Sequence, residues 1–89
     1  MSKKYEFLKD ETKTTKVRYI SFMGEYHRYD FAFMEHEEDP AKIIVLFLQK
    51  NRLAVIGKHS LNEPGNIEHN LHVSEIEAGE IRRFFREII

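Results

Sequence analysis

Five histidines, His27, His36, His59, His69 and His72, are the residues of this chain best suited to hold a metal or move a proton. The closest pair lies in His69-Asn70-Leu71-His72. On a strand, residues three apart point to opposite faces, so the two imidazoles could not share an ion; a helix or turn would bring them together. The only further donor at hand is Glu68. His36 sits among Glu35, Glu37 and Glu38, a set that could hold a hard cation only weakly. A zinc site needs a defined ligand number in tetrahedral geometry, and no stretch supplies one. These groups are read as solvated loop charge, and no metal ligand or cofactor is assigned.

Nucleophilic chemistry finds no better footing. Ser21, Ser60 and Ser74 lack the G-x-S-x-G context of a nucleophile elbow, and Ser74 is better placed as a helix cap. His27 and Asp30 have the types of a base and its orienting carboxylate, but on one strand they face opposite ways. Four glycines build no phosphate-cradling loop. No catalytic residue is assigned, and the chain is read as not an enzyme.

The aromatic residues remain. In Arg28-Tyr29-Asp30-Phe31-Ala32-Phe33 the alternation places Tyr29, Phe31 and Phe33 on one strand face, with Asp30, Ala32 and Met34 on the other. Stacked aromatics on a sheet can bind RNA bases. Here the basic and glycine residues of such platforms are missing, Asp30 would repel phosphate, and the formal net charge is −1. Lys3, Lys4, Lys9, Lys13, Lys16 and Arg18 against Glu6, Asp10 and Glu11 give the N-terminal stretch an excess of only three positive charges. Nucleic acid is therefore excluded as the expected partner. Tyr19, Tyr29, Phe31 and Phe33 are carried forward as a candidate surface for protein contacts.

The elements that must position these residues follow from the pattern. Residues 1–16 are polar and Lys/Thr-rich, and read as a flexible or loosely docked arm carrying Tyr5, Phe7 and Leu8. Val17 to Met23 is a strand ending at Gly24, and His27 to Glu35 is a second. The acidic run Glu35 to Asp39 before Pro40 is a loop. Ile43 to Leu48, apolar at every position, reads as a strand buried on both faces. Lys50-Asn51 suits a hairpin turn because Asn tolerates positive φ, and Arg52 to Ile56 returns as a fourth strand. Glu63-Pro64-Gly65-Asn66 predicts a type II turn, followed by a weaker fifth strand over Ile67 to Val73.

The last element is a helix. Ser74 and Glu77 form a capping box, Glu75, Glu77 and Glu80 crowd the first turns, and Arg82, Arg83 and Arg86 the last, as the helix dipole favours. Ile81, Phe84, Phe85 and Ile88 fall on one face. The expected fold is thus α+β: an antiparallel meander sheet of four to five strands with one C-terminal helix on one face, in a single domain over residues 17–89.

Eighty-nine residues without cysteine bury a modest core and carry no disulfide. The longest apolar run, Ile43 to Leu48, is far short of the ~18 residues of a membrane span, so no membrane contact is expected. The charged N-terminus is unlike a signal peptide, which predicts a cytoplasmic protein. One helix is roughly 10 Å across, while four or five strands make a sheet about 20 Å wide. A second sheet face must then be covered by the folded-back arm, by curling of the sheet or by a second copy. The expectation adopted is a homodimer through that face, with an unidentified protein partner also open. The alternative is a small ligand- or metal-binding protein using the His-bearing loops around 59–72.

Thr15 to Glu25 (TKVRYISFMGE) and Glu63 to His69 (EPGNIEH) resemble segments of a short cytosolic protein family of Firmicute bacteria, a domain of unknown function. The resemblance covers about residues 15–88. It implies a bacterial, cytoplasmic origin and carries over no activity, cofactor or catalytic residue.

Overall fold

The computed structural model describes Glu6 and residues 8–89 of the chain. Four strands, β1 (Arg18–Met23), β2 (Arg28–Glu35), β3 (Lys42–Phe47) and β4 (Arg52–Gly57), form one antiparallel sheet in the order β1-β2-β3-β4. Two helices follow, α1 (Asn66–Leu71) and α2 (Glu75–Ile88). The class is α+β, a meander closed by a C-terminal helix.

The register sorts the side chains into two sheets of contacts. Phe31 pairs Ile20 and Phe47, and Phe33 pairs Arg18 and Val45. Ile43 pairs Ile56, and Val45 pairs Ala54. These residues share the inner face, where both helices lie. Tyr29, Phe31, Phe33, Val45, Phe47, Ala54 and Ile56 are buried there with Ile67 and Leu71 of α1 and Ala78, Ile81 and Phe85 of α2. Each large side chain so buried contributes about 1.5–3 kcal/mol. Aromatic contacts fix the angle of α2: Phe85 meets Phe31 and Phe33 edge-on at 5.1 and 5.3 Å, and Phe84 stacks on Phe22 at 3.8 Å between ring centroids.

The fifth strand expected over Ile67 to Val73 is instead α1 and its cap. Pro64 and Gly65 make the predicted type II turn, with Gly65 at φ 77° and ψ −5° and the Asn66 N–H bonded to the Glu63 carbonyl at 3.2 Å. That turn delivers the Gly65 carbonyl to the N–H of His69, which is the first helical bond. A strand would have placed His69 on the same face as Ile67 and Leu71. A four-residue spacing buries Ile67 and Leu71 together and leaves His69 exposed. His72, at φ 55°, ends the helix.

The connection from β3 to β4 also differs from a two-residue hairpin. Leu48–Lys50 form a 3-10 turn and Asn51 takes the left-handed conformation, φ 51°. The positive φ falls where expected, with one more turn of chain before it. At the C-terminal helix the capping box is complete: the Ser74 hydroxyl accepts from the Glu77 N–H, and the Glu77 carboxylate accepts from Ser74 N–H.

Residues 8–17 carry neither helix nor strand and are exposed throughout, Leu8 to 95%. Lys13 reaches Glu37 in the β2–β3 loop at 2.7 Å. Tyr5 and Phe7, the other apolar residues of the expected arm, lie outside the described residues. Leu8 covers nothing.

Candidate interaction surface

Because α1 and α2 share the inner face, the opposite face of the sheet is the surface without a helical cover. Its make-up follows from pairing. Tyr19 lies beside Ala32, Ala32 beside Leu46, and Leu46 beside Leu53, one row across all four strands. Met34, Ile44 and Val55 form the neighbouring row. Tyr19 is 73% exposed, Leu53 58% and Val55 46%, while Ile44, Leu46 and Met34 are half-buried by their neighbours. Two adjacent rows of this face therefore carry no charge.

Polarity returns at the end nearest the β1–β2 turn. The Asp30 carboxylate accepts from the Ser21 hydroxyl, from Arg28 Nε at 3.2 Å and from Gln49 Nε2 at 2.8 Å. The Ser21 hydroxyl and Arg28 guanidinium hold its pKa below the ordinary carboxylate value. Gln49 does more: its Oε1 accepts the backbone N–H of Asp30 at 3.1 Å and its Nε2 donates to the Arg28 carbonyl at 3.0 Å. Since β3 ends at Phe47, the Gln49 carboxamide occupies the place of a missing peptide group and satisfies backbone that would otherwise need water. The charges at this margin are mutually neutralised.

Of the four residues expected to form the contact surface, only Tyr19 lies exposed on the outer face. Tyr29, Phe31 and Phe33 are at most 4% exposed and lie on the inner face. The physical reason is size. The helix side has a gap to fill between sheet and α2, and the largest rings fill it. The smaller aliphatic residues of the same strands are turned outward. Met34, Ile44, Leu46, Leu53 and Val55 were the surface residues to find, around a buried Ala32. Their signal was parity: each sits on the strand face opposite a residue that reads as core.

The histidines are dispersed. His36 Nδ1 accepts the Asp39 N–H at 3.1 Å and so shapes the acidic loop. His59, His69 and His72 are exposed, on the β4–α1 loop, on α1 and at its cap. Among the described residues, no three His, Cys, Asp or Glu side chains are grouped as a metal site. Ser74 is engaged in the helix cap. Also among the described residues, no helix is long and apolar enough to cross a membrane.

The inner face holds one polar pair in its core. Glu80 is 6% exposed and accepts the Glu25 N–H at 2.8 Å through Oε1. Its Oε2 and the Tyr29 hydroxyl are both sealed from solvent, close enough to perturb each other's titration but not in hydrogen-bonding geometry. Burial, and then the Glu80 carboxylate, push the Tyr29 pKa far above its ordinary value. The Tyr29 hydroxyl and the N–H groups of Glu25 and Tyr26 pull that of Glu80 down. The pair braces the β1–β2 turn on α2.

The model of the SAV0927-like family matches residues 8–87, starting earlier than the segments from residue 15 onward that carry the resemblance. No curated protein matches the chain.

Proposed function

The chain belongs to the SAV0927-like family, and we propose that it is a non-enzymatic interaction module that self-associates through the outer face of its sheet. The observation that carries this reading is the pair of uncharged rows, Tyr19-Ala32-Leu46-Leu53 and Met34-Ile44-Val55. An apolar patch of this kind on a small domain commonly marks a contact site. An isologous dimer brings a patch against its own copy, which requires that no like charges meet at the centre. The charges that border the two rows are paired within one copy: Arg28 with Asp30 at 3.1 Å at one end, and Lys42 with Asp39 at 3.8 Å and Lys13 with Glu37 at 2.7 Å at the other. The resemblance supports a bacterial, Firmicute and cytoplasmic setting.

Light scattering on a sizing column tests the reading. The wild-type chain should elute at twice the monomer mass or more at micromolar concentration. Leu46→Glu puts a charge at the centre of the face without entering the core, and should reduce that mass while the fold survives. A wild-type monomer, or a mass untouched by Leu46→Glu, removes the face as the contact.

A further inference from the structure

The two edges of the sheet are not alike. Beside β4 lies α1, tied to that side by Arg52 Nε to the Asn70 carbonyl at 3.2 Å and Lys50 Nζ to the His72 carbonyl at 2.6 Å. α2 reaches β1 from the inner face, through Phe84 on Phe22 and through Glu80 at the β1–β2 turn, but among the described residues no strand pairs with its outer edge.

The hydrogen-bonding parity of β1 can be worked out. The Gly24 N–H bonds to the His27 carbonyl at 2.7 Å, closing the turn as a bonded pair. Bonded and non-bonded pairs alternate along an antiparallel ladder. Phe22–Tyr29, Ile20–Phe31 and Arg18–Phe33 are then the bonded pairs of β1 with β2. The other parity of β2 faces β3, as the bonds of Asp30 N–H and the Arg28 carbonyl to Gln49 independently require. The N–H and C=O groups of Tyr19, Ser21 and Met23 consequently point out of the free edge. Proteins protect such edges with Lys, Pro or a bulge. From Tyr19 to Met23 the chain has none of these.

We propose that β1 is a pairing edge for a second copy of this chain, joined antiparallel about a two-fold axis through Ser21. An edge two-fold that keeps both inner faces on one side must match residues of the same parity. With Ser21 on Ser21, Tyr19 meets Met23 on the outer side and Ile20 meets Phe22 on the inner side. Tyr19 and Met23 are 73% and 72% exposed, and this register gives each an apolar neighbour. It also sets Arg18 opposite Gly24, with Glu25 of the second copy beside it, twice by symmetry. A register centred on Ile20 would pair Tyr19 with Ser21 and Arg18 with Phe22, losing both the apolar match and the charge pair. Within one copy Arg18 and Glu25 stand at opposite ends of a six-residue strand, about 20 Å apart, and cannot meet.

The edge contact goes beyond the face contact and does not depend on it. Its two-fold stands normal to the sheet, whereas a face-to-face two-fold lies parallel to it. Used together, the two contacts would close a four-copy assembly where the axes intersect and an open filament where they do not.

Sedimentation equilibrium on the full chain, its Arg18→Glu and Glu25→Arg variants and their mixture tests the pairing. Each variant alone places two like-charged pairs at the interface and should bind itself about tenfold more weakly. Mixed in equal amounts, the two variants restore both pairs and should recover wild-type affinity as a heterodimer. Failure of the mixture to associate more tightly than either variant overturns the proposal. Ser21→Pro, which removes a free-edge N–H together with the hydroxyl that donates to Asp30, should weaken association more than Ser21→Ala, which removes the hydroxyl alone; equal affinity of the two variants counts against the edge. Leu46→Glu separates the two contacts. If it leaves a dimer that responds to the charge swap, the edge stands. If it yields monomers, the face was the sole contact and the edge proposal fails. A monomeric wild-type chain removes both.

Discussion

The Glu80 carboxylate on α2 accepts the backbone N–H of Glu25 in the β1–β2 turn at 2.8 Å. This bond docks a hairpin turn onto a helix far away in sequence, and it is possible only because Gly24 lacks a side chain. A Cβ at Gly24 would lie inside the Glu80 carboxylate and 2.8 Å from the Tyr29 ring. The glycine is there for space, since its φ is not in the left-handed region.

Gly24→Ala should therefore lower stability by about 1–3 kcal/mol, the usual cost of forcing atoms into a packed site. Urea unfolding of the purified variant checks the value. The far-ultraviolet spectrum should stay that of the wild type, because the strain is local.

Glu80 sets part of the acid response. Its folded pKa lies below the ordinary 4.5, so the folded state favours the carboxylate. The stabilisation is present above about that unfolded value and is lost as pH falls through the lowered folded value. Thermal melts from neutral pH downward should show melting temperature falling below about pH 4.5, and Glu80→Gln should flatten that limb while lowering the melting temperature at neutral pH. An acid limb of the same slope in both proteins would move the assignment to Asp30, Glu37 or Glu68, which are also held below their ordinary values.

Tyr29 gives the opposite limb. Its folded pKa is raised, mainly by burial, so its contribution is full below the unfolded value of 10.0 and is lost as pH rises toward the folded value. Wild-type stability should drop above pH 10 more steeply than that of Tyr29→Phe, which has no proton to lose there. Paired denaturant titrations at neutral and alkaline pH read the difference.

Ser74→Ala removes the acceptor for the Glu77 N–H and should cost about 1 kcal/mol. Combining it with Glu77→Ala should cost less than the sum of the two single changes. The two side chains satisfy donors reciprocally, so losing either already breaks the box.

Much of this architecture was legible because it is written in local chemistry. The capping box, the charge order of α2, the type II turn at Pro64-Gly65 and the positive φ at Asn51 each depend on residues within a few positions of one another. The Ile67 to Val73 segment misled because strand alternation and a short helix share their first apolar residue, and α1 is too brief to show a period. Gln49 gave no local sign of its role, since the backbone it satisfies belongs to another strand.

The division for the aromatic strand is the clearest. Sequence alone determines that Tyr29, Phe31 and Phe33 share a face, because side-chain direction alternates with every residue of a strand. It cannot determine which way that face turns, because both faces of β2 and β3 carry apolar residues. The tertiary structure decides this by volume: Phe84 and Phe85 of α2 and the aromatic rings fill the same interior together. Ala32, Leu46 and Leu53 are thereby left on the outer face, and Tyr19 at its edge.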